Sequence, residues 1–354
     1  MADRINSTNG QTVVFGAGQL NRVGQELAAF GFQRAVILST PHQAHMAENL
    51  ANKIGNLSVG TFNDATMHTP VDVTLAALRK IEMLKADCIV AIGGGSTIGL
   101  GKAISLRTGL PQIAIPTTYA GSEATPILGQ TEGGRKTTLT NDKVLPKAIL
   151  YDPELVATLP IAMTVTSALN AMAHAAEALY AQNRSRESDV LALQGLRSFS
   201  LALPNVLENP SDLEAREETQ RGAWACGTVL GSVGMALHHK LCHTLGGSFN
   251  LPHAETHAVI LPHAIAYNSS AASAELAPIS ELLGGATPGT SLWNFAKRMN
   301  APTALRDLGM LEVDIGLAVE VALSNPYWNP RAITEDGLRK LLTNAWAGTA
   351  PQVN

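Results

Sequence analysis

The run Cys88-Ile89-Val90-Ala91-Ile92 is apolar at every position and breaks directly into Gly93-Gly94-Gly95-Ser96. A strand without a polar face is covered on both sides, which fits a parallel sheet wrapped by helices better than an antiparallel sheet open to water. Ala35 to Leu38 and Gln112 to Ile115 read the same way. Between the first two runs, Val73, Leu75, Leu78, Ile81 and Leu84 fall at helical spacing and predict a crossover helix over Val71 to Lys85. From Pro160 onward, long Ala- and Leu-rich segments of helical period replace the strand runs. Helices are expected over Thr166 to Ala181, Asp189 to Leu203 and Leu213 to Leu237, with Pro204 and Pro210 as breaks. The chain therefore reads as an α/β Rossmann-like dinucleotide-binding domain over residues 1–159 and an all-α domain over 160–354, with a ligand expected where the two meet.

Bulk properties narrow the function classes. At 354 residues, 45% hydrophobic and 15% charged, the chain can bury the cores of two domains. Its net charge of −4, without a basic run, argues against nucleic acid or an anionic membrane as partner. The first ten residues are polar, and no stretch reads as the roughly 20 apolar residues that span a bilayer, so a cytoplasmic location is expected. Cys88, Cys226 and Cys242 lack CxxC spacing and read as free thiols.

Strand, glycines, helix is a phosphate-binding order. Residues without Cβ let the backbone approach a pyrophosphate, and amides at the helix start offset its charge. Gly93, Gly94, Gly95 and Ser96 are the candidate cofactor contacts; three glycines alone also fit a tight turn with no ligand. Pro116-Thr117-Thr118-Tyr119-Ala120-Gly121-Ser122-Glu123 ends the next strand and adds Thr117, Thr118 and Ser122 at the same sheet edge. Gly16-Ala17-Gly18, a lone GxG, reads as a simple turn. After Ala35 to Leu38 stand Ser39 and Thr40, with no carboxylate to repel a 2′-phosphate, so NADPH is expected to serve alongside NADH.

Six of the ten histidines, His238, His239, His243, His253, His257 and His263, lie within 26 positions. His239 and His243 share a helix face, as do Asn170 and His174, and Gly246-Gly247 is expected to end the later helix so that His253 returns to one pocket with these four. An HxxxH pair alone also fits a partly buried helix surface. HEXXH is absent, which excludes a zincin protease; Glu177, three residues beyond His174, either orients that ring or faces a neighbouring helix.

The order GGGS after a strand, PTT in the next loop, a polar residue and His four apart, HxxxH, LGG, LPH and LPHxxxYN resembles the iron-containing (group III) alcohol dehydrogenases over nearly the whole chain. That resemblance implies the dehydroquinate-synthase-like fold and a divalent metal. The family's ligands, an Asp and three His, fall at Asn170, His174, His239 and His253. The carboxylate is missing, and Gly99 replaces the Asp of GGGSxxD. Both departures, with GGGSTIGLGK from Gly93, YAGSEATPI from Tyr119, FNLPHAETH from Phe249 and NPYWNPR from Asn325, are shared with one branch, the maleylacetate reductases. A neutral amide in place of a carboxylate weakens cation binding, although three imidazoles still suit zinc, so no metal is expected. Fewer fixed anions also repel a doubly negative substrate less.

The resemblance implies NADH- or NADPH-dependent reduction of maleylacetate to 3-oxoadipate in aromatic compound breakdown, by a homodimer. Hydride addition to the alkene carbon farther from the ketone leaves an enolate, which needs hydrogen-bond donors and a proton. His243 is the candidate proton donor, with His253, His239 and His174 lining the pocket and Asn170 offering its amide. Lys240, Lys102 and Arg331 are candidate partners for the two carboxylates, each also readable as a solvated surface charge. Tyr119 reads equally as a donor to substrate or a ring under nicotinamide and as core packing, and Cys242 reads as buried packing. The alternatives are a metal-dependent alcohol or lactaldehyde dehydrogenase, told apart by chelator-sensitive activity, and a nucleotide-binding module or dehydroquinate-synthase-like lyase, excluded by NADH oxidation on addition of an unsaturated oxo acid.

Overall fold

The computed structural model describes residues 3–7 and 9–352. The chain forms two compact units: residues up to Leu159 with Ser211–Gln220, and Pro160–Pro210 with the residues from Arg221 on.

In the first unit the strands are β1 (Asp3–Asn6), β2 (Thr12–Phe15), β3 (Ala35–Leu38), β4 (Ser58–Phe62), β5 (Cys88–Gly93), β6 (Gln112–Pro116), β7 (Ile127–Glu132), β8 (Arg135–Thr140) and β9 (Ala148–Tyr151). Helices α1 (Val23–Ala29), α2 (Ala44–Ile54), α3 (Val71–Leu84), α4 (Gly95–Thr108) and α5 (Pro153–Val156) alternate with them. The sheet order is β1-β2-β9-β6-β5-β3-β4, parallel apart from β1 against β2, and β7 and β8 form a separate hairpin. Both faces are covered, as the unbroken apolar runs predict. Ala35, Ile37, Cys88, Val90 and Ile92 face Leu27 of α1 and Ala47 and Leu50 of α2. Val36, Leu38 and Ile89 face Ala77 and Ile81 of α3 and Leu100 and Ile104 of α4. Each such Leu, Ile or Val stabilises the sheet by about 1.5–3 kcal/mol. From β3 the chain steps outward to β4, returns to β5 on the other side of β3, and continues to β6. That reversal opens a crevice beyond the carboxyl ends of β3 and β5, the usual ligand position in such sheets.

Lys102, a candidate for substrate binding, is instead structural. It lies on α4, is 1% exposed, and sends Nζ to the carbonyls of Ser122 (2.5 Å), Thr125 (2.8 Å) and Ile127 (2.9 Å) and to Thr125 Oγ1 (2.9 Å). Burial lowers its pKa to about 7, against the opposing pull of the Glu123 charge. The side chain ties α4 to the loop after β6. Lys102→Met leaves three buried or part-buried carbonyls without that donor, and should cost about 3 kcal/mol. Thermal unfolding should then come roughly 6–12 °C lower.

The second unit is helical: α6 (Ile161–Ala178), α7 (Arg186–Glu208), α8 (Leu213–Leu230), whose first residues belong to the other unit, α9 (Leu237–Phe249), α10 (His253–Asn268), α11 (Ser273–Leu283), α12 (Pro288–Arg298), α13 (Asp314–Leu323) and α14 (Glu335–Ala347). Three expected boundaries move. Ser185 and Ser188 form a capping box at the start of α7, which runs through Pro204, because one missing N–H so near a helix end does not stop it. The stretch expected as one helix to Leu237 breaks after Leu230, where Gly231 and Gly234 leave the helix and Gly234 N donates to Asn183 Oδ1 at 2.8 Å. Gly246 and Gly247 lie inside α9, and the helix ends at Asn250, whose φ of 53° is one of the left-handed positions that Asn tolerates. Contrary to expectation, α7 is long and apolar enough to cross a membrane by length and composition. It is amphipathic, however, burying Ala192, Leu196, Phe199, Leu203 and Val206 while Gln194 and Arg197 are exposed.

Candidate active site

Two sets of residues carry chemistry, one in each unit. In the first, α4 starts directly after β5 with Gly94 as N-cap and no side chain capping it. A Cβ on Gly93, whose φ is 157°, would collide with the Thr97 side chain, and one on Gly94 would lie 2.9 Å from Thr118 Cγ2. Gly95 is exposed with open space around it. Ser96 is half-buried beside it at the helix start. The neighbouring strand ends are stitched together: Thr117 N donates to Gly93 O (3.1 Å), and Gln43 Nε2 to Thr117 Oγ1 (2.9 Å). Bare backbone at a helix N-terminus fits a dinucleotide pyrophosphate. Ser39 stands at the end of β3 but is fully buried and donates its hydroxyl to Asn63 Oδ1 at 3.0 Å. Ser122 is half-buried at the same edge. The Gly16–Gly18 turn is clamped by Asp152, which accepts from Gly18 N (3.2 Å) and Leu20 N (2.9 Å). A Cβ on Gly99 would come within 2.5 Å of Thr69 Oγ1, so Thr69 fills the space an aspartate there would need. Tyr119 is fully buried, its hydroxyl accepting from Arg216 Nη1 at 3.2 Å; burial pushes its pKa up to about 12 although Arg216 opposes this. It is a packing residue of the first unit.

In the second unit, α6, α9 and α10 gather the imidazoles. Asn170, His174 and Glu177 come from α6, His238, His239, Cys242 and His243 from α9, and His253 and His257 from α10. The His239 ring centroid lies 5.1 Å from those of His174 and His238, 5.2 Å from His257 and 6.4 Å from His243; His253 lies 4.4 Å from His257. His174, His238, His239 and His257 form a buried floor, whereas His243 and His253 are exposed at its rim.

Glu177 holds the floor in place, and it serves His239 rather than His174. Its carboxylate accepts from the backbone of Ala236 (3.0 Å), His238 (2.8 Å) and His239 (3.4 Å), capping α9 from another helix. It also takes His239 Nδ1 at 2.7 Å and the Tyr180 hydroxyl at 2.9 Å. Burial alone would raise its pKa, but the hydrogen bond and charge of His239, with its other donors, hold it at about 2. Burial, and then the surrounding imidazoles, keep His174 and His257 well below the ordinary histidine value, and burial with the charge of His239 brings His238 to about 3. The Cys242 thiol lies 3.7 Å from His238 Nε2 and is held protonated by burial and the Glu177 charge. That fits packing.

Lys240 is half-buried on α9 with its ammonium 5.3 Å from the Tyr327 ring centroid. Arg331 donates Nη1 to Tyr267 O (2.9 Å) and lies 4.3 Å over the Tyr267 ring, anchoring its segment to the end of α10. The buried Tyr327 hydroxyl, near enough to Glu177 to feel its charge, was not picked out from the sequence. His257 was counted in the histidine cluster but given no role, although LPHxxxH places it four residues after His253.

A metal-free site, expected from the loss of the family carboxylate, is not supported. Asn170 Oδ1, His174 Nδ1 and His239 Nε2 are buried without a hydrogen-bond partner, and Glu177 stands behind His239 as carboxylates do behind metal-bound imidazoles. Beside them, His238, Cys242 and His257 bring ligand atoms within 4.8 Å of one another. The unpartnered Asn170, His174 and His239 atoms fit a cation.

Family models agree with both halves. The iron-containing alcohol dehydrogenase model matches residues 10–153, and the C-terminal model of the Fe-containing alcohol dehydrogenase family matches 164–346. A maleylacetate reductase of Rhizobium sp. is 54% identical over 96% of this chain and 97% of its own. Another, of Burkholderia cepacia, is 52% identical over 96% of each chain. The crystal structure of maleylacetate reductase from Agrobacterium tumefaciens superposes with a TM-score of 0.96 at 52% identity, covering 99% of this chain and 100% of the other. Fold, family models and full-length similarity coincide, and the chain belongs to the iron-containing alcohol dehydrogenase family.

Proposed function

We propose that this chain is a cytoplasmic enzyme that reduces maleylacetate to 3-oxoadipate with NADH or NADPH. The observation that carries the reading is the imidazole floor of the second unit, His174, His238, His239 and His257 around the Asn170 amide, with the Glu177 carboxylate engaged by the backbone of α9 and by His239. With the Asn170 amide at the position of the family's aspartate, the floor repels a doubly negative oxo acid less than a second carboxylate there would. Similarity to maleylacetate reductases over nearly the full length supports the same substrate.

Bound reduced nicotinamide supplies a hydride, which conjugation directs to the alkene carbon farther from the ketone. Gly93, Gly94, Gly95 and Ser96 leave room for the cofactor pyrophosphate, and Thr117, Thr118 and Ser122 edge the same crevice. Imidazoles of the floor hydrogen-bond the enolate oxygen as its charge grows. His243, exposed at the rim, gives its proton to the carbon next to the ketone and regains one from water. Lys240 is the cation of the same helix for a substrate carboxylate. A divalent cation held by Asn170, His174, His239 and His253 would supply Lewis acidity toward the keto oxygen.

In a steady-state assay, absorbance at the reduced nicotinamide band should fall on addition of maleylacetate with either cofactor, and should stay flat with saturated aldehydes. Strong preference for NADH would remove the inference from Ser39 and Thr40; no oxidation of either cofactor would remove the substrate.

A further inference from the structure

His257 is fully buried yet has no partner for Nε2, while its Nδ1 lies 2.9 Å from Nε2 of His238. A buried polar atom left unpaired costs about 1–3 kcal/mol, so a fold retains one where something else satisfies it. The ring packs within the cluster, 5.2 Å from His239 and 4.4 Å from His253 by centroid. Both floor rings have Nδ1 engaged and Nε2 bare, but in opposite senses: Nδ1 of His239 donates to the Glu177 carboxylate, whereas Nδ1 of His257 meets an imidazole nitrogen that can donate to it. With His238 Nε2 donating, a neutral His257 keeps its single hydrogen on Nε2, the form that can donate to an oxyanion.

Resting on the function proposed above, we infer that His257 is a catalytic residue that donates Nε2–H to the keto oxygen of the substrate, and that His238 is the positioning residue that sets its tautomer. No bond to His257 forms or breaks; the hydrogen bond strengthens as the ketone oxygen becomes an enolate, and the proton that completes the product comes from elsewhere. Cys242, 3.7 Å from His238 Nε2, packs behind the pair.

The two amide replacements separate this role from a structural one. Asparagine puts its amide near the position of Nδ1 and can keep the contact with His238, but reaches nothing beyond; glutamine reaches toward the position of Nε2 and gives up that contact. A substrate donor predicts that His257→Asn loses turnover of maleylacetate by about 10²–10³-fold, as loss of one oxyanion donor does elsewhere. His257→Gln should retain most of the rate. A purely structural histidine predicts the reverse order, because the one hydrogen bond it makes is with His238. NADH binding, followed by fluorescence of the bound nicotinamide, should be unchanged in both, and serves to establish that each variant is folded. Wild-type-like turnover by His257→Asn, or a larger loss in His257→Gln than in His257→Asn, overturns the assignment. Should His257→Asn fail to bind NADH, His238→Gln decides: its amide can occupy the place of the imidazole Nε2, so near-normal turnover supports the positioning role and a loss beyond tenfold contradicts it. Failure of the wild-type protein to reduce maleylacetate would instead strike the functional reading itself.

Discussion

Replacing Glu177 by Gln should lower kcat/KM for maleylacetate by about 10²-fold, with the affinity for NADH unchanged. The carboxylate only accepts, and it satisfies donors on three sides: the first amides of α9, the Tyr180 hydroxyl and His239 Nδ1. An amide must turn its NH2 toward one of them, and the contact it spoils is either the helix start or the ring orientation. Unfolding should also come several degrees lower, since Glu177 is fully buried and its charge lies at a helix N-terminus. Comparing Glu177→Gln with Glu177→Asp in steady-state kinetics checks this; full activity in the Gln variant would show that His239 needs no anion behind it.

His243→Asn should reduce kcat by about 10²–10⁴-fold and leave the KM for maleylacetate within a few-fold. His243 is the rim imidazole on the same helix face as His239, exposed where the floor rings are buried. Burial keeps His174, His238 and His257 neutral, so they are poor proton sources at neutral pH. Partial recovery with added imidazole would mark the loss as a missing proton donor. A rise in KM with kcat intact would make His243 a binding residue.

The parallel sheet was legible in the sequence because β3, β5 and β6 are apolar at each position between Ala35 and Leu38, Cys88 and Ile92, and Ile113 and Ile115. A run of that kind leaves no alternative to double coverage. The histidine cluster was legible from spacing alone: i, i+4 pairs on α6 and α9 must share a face wherever the helices pack. What spacing leaves undetermined is which partner a side chain meets. Lys102 has the composition of a surface cation, and only the fold of the 122–127 loop makes it a clamp. Glu177 is one helical turn from His174 yet grips His239, because α9 starts against it. The helix ends at Leu230 and Asn250 were misplaced for a related reason. Glycine permits a break without requiring one, and packing decides between Gly231, where the chain turns, and Gly246, where it does not.

A single label distinguishes conjugate addition from reduction of the carbonyl. With NADH carrying deuterium on the transferred position at C4, the product formed from maleylacetate should be 3-oxoadipate bearing deuterium on the methylene next to the former alkene-side carboxylate, with a solvent proton on the carbon next to the ketone. Deuterium on a carbinol carbon, with the double bond intact, would contradict an active site built to stabilise an enolate.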